Sequence, residues 1–332
     1  MRYVLIDYMP LVYKYSVVTA PMSHTTTVNG VVRTFDTTIP SCTIKHIVRC
    51  GGYGDYKVAV CFDGGSEFRK QHFANCTALN VNTTEPLEYK GGRKKLHGTL
   101  KEGADITVNL LVQGGVTCYR KYGYEADDYL FTLVQELKEH GVTDPIDIVT
   151  VDRDLLPLVD DQVSVYIDSK RQFNDIGSPT LKGYFQVTPR SMEQFCALSS
   201  AYKNYKLPYN SILLFKIIKG DKSDNIPMAV KGYGGKAFTK LVDQMITDGV
   251  QFDKVFRYGK DFATEMAPIL TRYFNEVDLA RMEEVYTGLN LRRVIPDNGE
   301  SFTVMPQCIN ELQLQDSVAR LNIQLPHRKY NT

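Results

Sequence analysis

Arg2-Tyr3-Val4-Leu5-Ile6-Asp7 is a short apolar run that stops on a carboxylate, and the chain repeats the pattern twice, at 57–62 before Asp63 and at 147–151 before Asp152. Continuous apolar runs of this length read as strands buried on both faces, the habit of a parallel sheet. Helical periodicity fills the intervals, at 37–49 and at 125–140, the second stopping at Gly141. Strands alternating with helices predict a doubly wound α/β sheet. In such sheets chemistry gathers beyond the carboxyl ends of the strands, where Asp7, Asp63 and Asp152 fall. One aspartate after a strand is usually a turn or cap residue. Three from three runs point to a site.

The chain has 332 residues, 43% hydrophobic and 23% charged. That balance excludes disordered, collagen-like and disulfide-scaffold classes, and the length predicts about two domains. The formal net charge of +1 carries no signal by itself, so partners must be read from local clusters. Seven cysteines, at 42, 50, 61, 76, 118, 196 and 308, show no zinc-type spacing and read as reduced thiols. The opening run is too short for a signal peptide and no apolar stretch reaches membrane-spanning length, so a cytoplasmic address is expected.

Between 64 and 123 lies a polar stretch too long for a plain connection, expected as a functional excursion from the core. From about Pro189 helical patterns take over, at 192–202, 211–219, 236–245 and 279–286, with a last helix at 309–322. The expected division is an α/β core at 1–188, its excursion at about 65–122, and a helical region at 189–332.

Gly123-Tyr124-Glu125-Ala126-Asp127-Asp128 opens a helix with Glu125 and Asp128 one turn apart. Acidic first turns often only offset the helix dipole. Here they join Asp152 with Asp154, and Asp221 with Asp224 in Gly220-Asp221-Lys222-Ser223-Asp224-Asn225. So many carboxylates in one region require cations, because like charges raise one another's pKa. All-oxygen donors suit Mg²⁺ or Mn²⁺ and do not suit zinc. A pair of such ions is the usual apparatus of phosphodiester hydrolysis.

Two basic features accompany the acids. Lys231-Gly232-Tyr233-Gly234-Gly235-Lys236 leads into a helix among Lys216, Lys219, Lys222 and Lys240, a setting for nucleic-acid backbone. It lacks the ending of a Walker loop. Arg69 and Lys70, then Tyr89-Lys90-Gly91-Gly92-Arg93-Lys94-Lys95, place cations beside an aromatic, as single-stranded nucleic acid needs. Lys90 or Arg93 could also offset charge on a reacting phosphate.

In order and spacing these motifs, together with Cys61-Phe62-Asp63-Gly64, Phe68-Arg69 and Lys219-Gly220-Asp221 through Ile226-Pro227, resemble the 5′ nuclease family of flap endonucleases, the 5′ nuclease domain of DNA polymerase I, and phage 5′-3′ exonucleases or ribonuclease H. The resemblance implies a PIN-like, Rossmann-like parallel-sheet core with a helical arch, and a helical region holding a helix-three-turn-helix at about 212–245. It implies one metal cluster from Asp7, Asp63, Glu125, Asp127 and Asp128, and a second from Asp152, Asp154, Asp221 and Asp224. It makes Lys90 and Arg93 catalytic and Tyr89 a DNA-stacking residue. It gives DNA contacts to Arg69, Lys94, Lys95, Gly232, Gly234, Gly235 and Lys236. Two Mg²⁺, replaceable by Mn²⁺, and a K⁺ at the helix-three-turn-helix are implied. The implied substrates are 5′-flapped or 5′-ended DNA and RNA/DNA hybrids, met as a monomer in phage replication with a polymerase or single-strand-binding protein as possible company.

Departures accompany the match. Asp7 is followed by Tyr8 where the family has glycine, and Lys14 replaces an arginine. Extra residues lie at 76–88, so a longer arch is expected, and Gly235 replaces a proline. Two rivals share parts of the pattern. A PIN-type single-strand RNA endonuclease has the strand-end acids without the arch and the turn motif. A non-catalytic DNA-structure binder needs the basic surfaces but not the acids.

Overall fold

The computed structural model describes residues 1–17, 22–51, 55–80, 86–92, 98–168, 181, 183–205, 207–208, 210–294, 305–319 and 321–326. Two compact units emerge, one of Met1–Gly64, Lys95–Asp152 and Val294–Thr332, the other of Gly65–Lys94 and Arg153–Arg293.

The first unit is built on β1 (Arg2–Asp7), β2 (Ser23–Val28), β3 (Val31–Asp36), β4 (Tyr56–Cys61), β5 (Thr117–Tyr119) and β6 (Ile146–Thr150). Four of these lie parallel in the order β5-β4-β1-β6. The three runs that end in carboxylates are therefore parallel strands, as expected, and they lie side by side, with Asp7 level with Cys61 and Ile6 level with Val149. Leu5, Ile6, Val60, Cys61 and Ile148 are fully buried, which is why these strands read as unbroken apolar runs. The short strand Gln307–Cys308 adds to β4 in the antiparallel sense.

Helices Thr38–Gly51 and Gly98–Gln113 pack together at Thr43 and Thr107. Both hydroxyls are satisfied within their own helices, on the carbonyls of Ile39 and Gly103 at 2.6 and 2.8 Å, so the contact buries no unpaired polar group. Gly98–Gln113 and β5 belong to the packed unit, and β5, three residues long, is too brief for any periodicity to reveal.

The antiparallel β2–β3 hairpin was not anticipated. Its turn is Asn29-Gly30, with φ of 52° and 77°. Two successive left-handed residues match the right-handed twist of a hairpin, and Asn-Gly is the dipeptide that adopts them most readily. That signal was present in the sequence.

The second unit contains the antiparallel strands Val163–Asp168 and Tyr184–Val187 and is otherwise mainly helical. Helices Ile212–Lys219 and Gly235–Thr247 occupy the expected positions, with the carbonyl of Ile218 accepting the amides of Ala229 and Val230 at 3.1 and 3.3 Å. Phe215 meets Tyr202, Tyr205 and Phe238 edge-on at centroid separations of 5.6, 4.6 and 5.3 Å. Such edge-to-face packing fixes the helices by more than area alone. Among the described residues no helix is long and apolar enough to cross a membrane.

Candidate functional site

In the first unit the ends of β1, β4 and β6 carry a carboxylate set. Asp7 closes β1 and is 5% exposed, and its Oδ2 accepts the Thr150 hydroxyl at 2.8 Å. The same hydroxyl oxygen accepts the amide of Asp152 at 2.9 Å, so Thr150 holds one acid by its side chain and another by its backbone. Asp63 follows β4, is exposed, and accepts the amide of Ala126 at 2.8 Å.

The next residue, Gly64, donates to the carbonyl of Tyr124 at 2.8 Å and accepts the amide of Gly123 at 3.0 Å. A Cβ on Gly64 would run into the carbonyl oxygen of Lys121, so only glycine permits this approach. That pairing delivers Glu125 to its place as the N-cap of helix Ala126–Glu139. Glu125 and Asp128 form a reciprocal capping box and are both buried, with the Glu125 amide 3.1 Å from Asp128 Oδ2. Asp127 is half-buried beside them.

Burial raises the Cys61 thiol well above its ordinary pKa, and the charges of Asp7 and Asp127 push it the same way, which marks the region as one of concentrated negative charge. The hydroxyl and amide donors named above are neutral, so they orient these carboxylates without cancelling their charge. As the side chains stand, no three His, Cys, Asp or Glu residues among those described close around a point as ion ligands. The chemistry of the donors, hard carboxylate oxygens partly removed from water, nonetheless fits a divalent cation of the Mg²⁺ kind.

The second unit carries the other acids. Gly220, at φ 64°, ends helix Ile212–Lys219, and a Cβ there would meet the carbonyls of Ile226 and Pro227. Asp221 and Ile226 then exchange backbone hydrogen bonds at 3.0 and 2.8 Å, closing a small loop that presents Asp221 and Asp224. Lys216 is 5% exposed, and its ammonium bonds Asp154 Oδ1 and, at 2.9 Å, Asp221 Oδ2. Asp221 lies below the usual carboxylate range: burial opposes ionisation, but Lys216 and the hydroxyl and amide of Ser223 outweigh it. Asp224 is buried and accepts the Tyr89 hydroxyl at 3.0 Å.

Three expectations require correction. Lys216 is not part of an exposed basic surface but a buried counterion of Asp154 and Asp221. Tyr89 is 5% exposed and stacked on Phe73 at 5.6 Å, so its ring is not presented for base stacking. Arg69 is 4% exposed, and its Nε donates to the Gly288 carbonyl at 3.1 Å, which makes it an anchor between helices Glu67–Asn75 and Glu276–Leu289.

Lys90 is half-buried with φ 57°, its ammonium 5.0 Å from the Tyr89 ring centre. Arg93, Lys94 and Lys95 lie outside the described residues, as do 81–85 of the extra segment. Gly232, at φ 86°, and Gly234 lead into helix Gly235–Thr247, with Lys231 and Lys236 exposed beside them. Gly235 is required for a different reason than anion approach, since a Cβ there would lie 2.5 Å from the Asn204 carbonyl oxygen.

Sequence reasoning missed Thr150 and Glu284. Thr150 could have been found as the hydroxyl residue closing a mostly apolar strand two places before Asp152. Glu284 accepts the amides of Thr77, Ala78 and Leu79 at 2.7, 2.9 and 2.8 Å, and nothing local to its sequence signals that role.

Comparison with known proteins agrees with this architecture. DNA polymerase I of Caldicellulosiruptor bescii is 31% identical over 191 residues, 57% of this chain and 19% of the polymerase. DNA polymerase I of Bacillus subtilis is 30% identical over 222 residues, 63% of this chain and 23% of its own length. The chain thus spans less than a quarter of these curated relatives. Among solved structures, the bacteriophage T5 flap endonuclease in a pseudo-enzyme-product complex with DNA and metal ions superposes with a TM-score of 0.53 at 16% identity, covering 97% of this chain and 100% of that one. The T5 protein co-crystallised with metal ions gives 0.52 at 17% identity, covering 96% and 93%. These likenesses show the PIN-like α/β fold with its helical C-terminal region. The profile of the 5′-3′ exonuclease N-terminal resolvase-like domain matches residues 2–183, and the chain belongs to that 5′ nuclease family.

Proposed function

We propose that the protein is a divalent-metal-dependent nuclease that hydrolyses phosphodiester bonds near the 5′ end of branched or duplex DNA and of RNA primers annealed to DNA. The observation that carries this reading is the convergence, in one unit, of Asp7, Asp63 and Asp152 from three adjacent parallel strands with the acidic helix start Glu125, Asp127 and Asp128. A structural role would not demand six carboxylates at the carboxyl edge of one sheet. Those six are the residues we assign to hold Mg²⁺, with Mn²⁺ able to replace it. When bound, such an ion acidifies a water and offsets charge on phosphate oxygens.

The chain's own contribution is orientation. Thr150 fixes Asp7 and the Asp152 backbone, and the Gly64 pairing fixes Glu125. Lys90 and Arg93 offset charge on the reacting phosphate. Lys94 and Lys95 attract the single-stranded arm. Gly232, Gly234, Gly235 and Lys236 present backbone amides and a cation to duplex phosphates, with main-chain carbonyls there suited to K⁺. A second ion on Asp154, Asp221 and Asp224 does not fit their present partners, since Lys216 already bonds the first two and Tyr89 donates to the third. We place the activity in cytoplasmic DNA replication, on the phage side by the likeness to the T5 enzyme, with the protein acting as a monomer.

The test is a gel assay of wild type and Asp152→Ala on a 5′-flap DNA and on an RNA-primed duplex, each in Mg²⁺ and in EDTA. Cutting near the junction in Mg²⁺ alone, abolished in the variant while binding persists, is the expected result. Binding without cutting by wild type in Mg²⁺ would favour the non-catalytic DNA-structure binder.

A further inference from the structure

Helix Ile212–Lys219 is apolar except for its lysines, and one of them, Lys216, points its ammonium into a carboxylate pair. Both oxygens of Asp221 are engaged: Oδ2 by Lys216 at 2.9 Å, Oδ1 by the amide and hydroxyl of Ser223 at 2.8 and 2.6 Å. Asp154 Oδ1 bonds the same ammonium, and the backbone carbonyl of Asp154 accepts the Tyr258 hydroxyl at 2.8 Å. Asp224, the third acid of this unit's set, accepts from Tyr89.

A divalent ion taken up by these oxygens would sit beside an ammonium that already bonds them. Two cations at that separation repel, and screening is weak where the lysine side chain is only 6% exposed. Lys216 is itself buried, as are its chain neighbours Phe215 and Ile217.

We propose that Lys216 is the built-in cation of this carboxylate set. Asp154 and Asp221 are then fixed by the protein's own charge, and divalent ions are carried by the first set alone. The inference deepens the nuclease reading by restricting where its ions bind, and the difference between variants tests it whatever the wild-type ion count.

The experiment counts Mn²⁺ bound at equilibrium, from the electron paramagnetic resonance signal of free Mn²⁺, for wild type, Lys216→Gln, Lys216→Arg and Asp221→Asn, with circular dichroism confirming the fold. Lys216→Gln should bind one Mn²⁺ more than wild type and melt higher as Mn²⁺ is added, because uncovered acids become an ion site. Lys216→Arg should restore the wild-type count, and Asp221→Asn should leave it unchanged. A folded Lys216→Gln that binds no extra ion, or an Asp221→Asn that loses one, overturns the proposal. If Lys216→Gln fails to fold, Asp221→Asn decides alone. A wild type that binds no Mn²⁺ would count against the nuclease reading, while the gain in Lys216→Gln would still stand or fall by itself.

Discussion

The hydroxyl of Tyr89 lies 3.0 Å from Oδ2 of Asp224, and the amide of the next residue, Lys90, donates to the carbonyl of that aspartate at 2.9 Å. One acid therefore fixes both the ring and the left-handed backbone turn that carries Lys90. Tyr89→Phe removes a donor from a buried carboxylate and should cost about 1–3 kcal/mol in a urea melt. It should also slow cleavage by loosening Lys90, while fluorescence anisotropy on a single-stranded oligonucleotide shows unchanged affinity. Affinity lost in Tyr89→Phe as well would return the ring to the DNA surface.

Why some of this was legible and some was not follows from the range of the interactions. Asp7, Asp63 and Asp152 could be placed because a buried strand writes its identity in consecutive residues, and the strand ends are where the sheet delivers side chains. Glu125 and Asp128 were legible for the same local reason, as a helix start. The fates of Lys216, Tyr89 and Arg69 were not, since each depends on a partner 62, 135 or 219 residues away. A lysine or arginine in a basic stretch looks exposed until its partner is known. The Asn29-Gly30 hairpin is a different case, a turn set by two adjacent residues that needs no distant partner.

Thr150 joins two acids through one hydroxyl, donating to Asp7 and accepting from the Asp152 amide. Thr150→Val keeps the β-branched shape that suits the end of a strand and deletes only the hydroxyl. Removing a group that orients ligands typically costs 10- to 100-fold in metal affinity or activity. We expect a loss in that range in cleavage rate at limiting Mg²⁺, partly recovered at high Mg²⁺. A Mg²⁺ titration of initial rates checks it, and a loss independent of Mg²⁺ would show Thr150 to be structural only.

Gly64→Ala should be among the most damaging single-methyl changes in the chain. The added carbon collides with backbone, the Lys121 carbonyl, which cannot turn aside as a side chain could. Relief requires separating the turn after β4 from the loop that sets Glu125, breaking the hydrogen bonds of Gly64 with Tyr124 and Gly123. Overpacking of this kind costs roughly 1–3 kcal/mol or more. A thermal melt would show the loss. Gly232→Ala, where nothing lies within 4 Å, should cost less and only through its φ of 86°. Equal melting of the two variants would disprove the collision argument.

Asp147, inside β6, bonds Arg2 at 2.7 Å, yet its carboxyl is pushed up to about 6 from an ordinary 3.8. Burial is the larger cause, and Arg2 only pulls part of the way back, because its side chain is 31% exposed while that of Asp147 is 8% exposed. The sign follows from proton binding. Between the ordinary value and about 6 the folded chain holds a proton that the unfolded chain releases, so this group's contribution is complete below pH 4 and is lost as pH rises through 6. A rise from 3.8 to about 6 corresponds to roughly 3 kcal/mol. Asp147→Asn cannot ionise, so it should gain stability relative to wild type as pH climbs from 4 to 7.5, by up to about that amount. Urea unfolding at pH 4.5, 6 and 7.5 measures the difference. A gap that stays constant with pH would mean that the Arg2 ion pair cancels the burial of the carboxylate. A gap that reverses would mean that the pair dominates and that Asp147 is a net stabiliser at neutral pH.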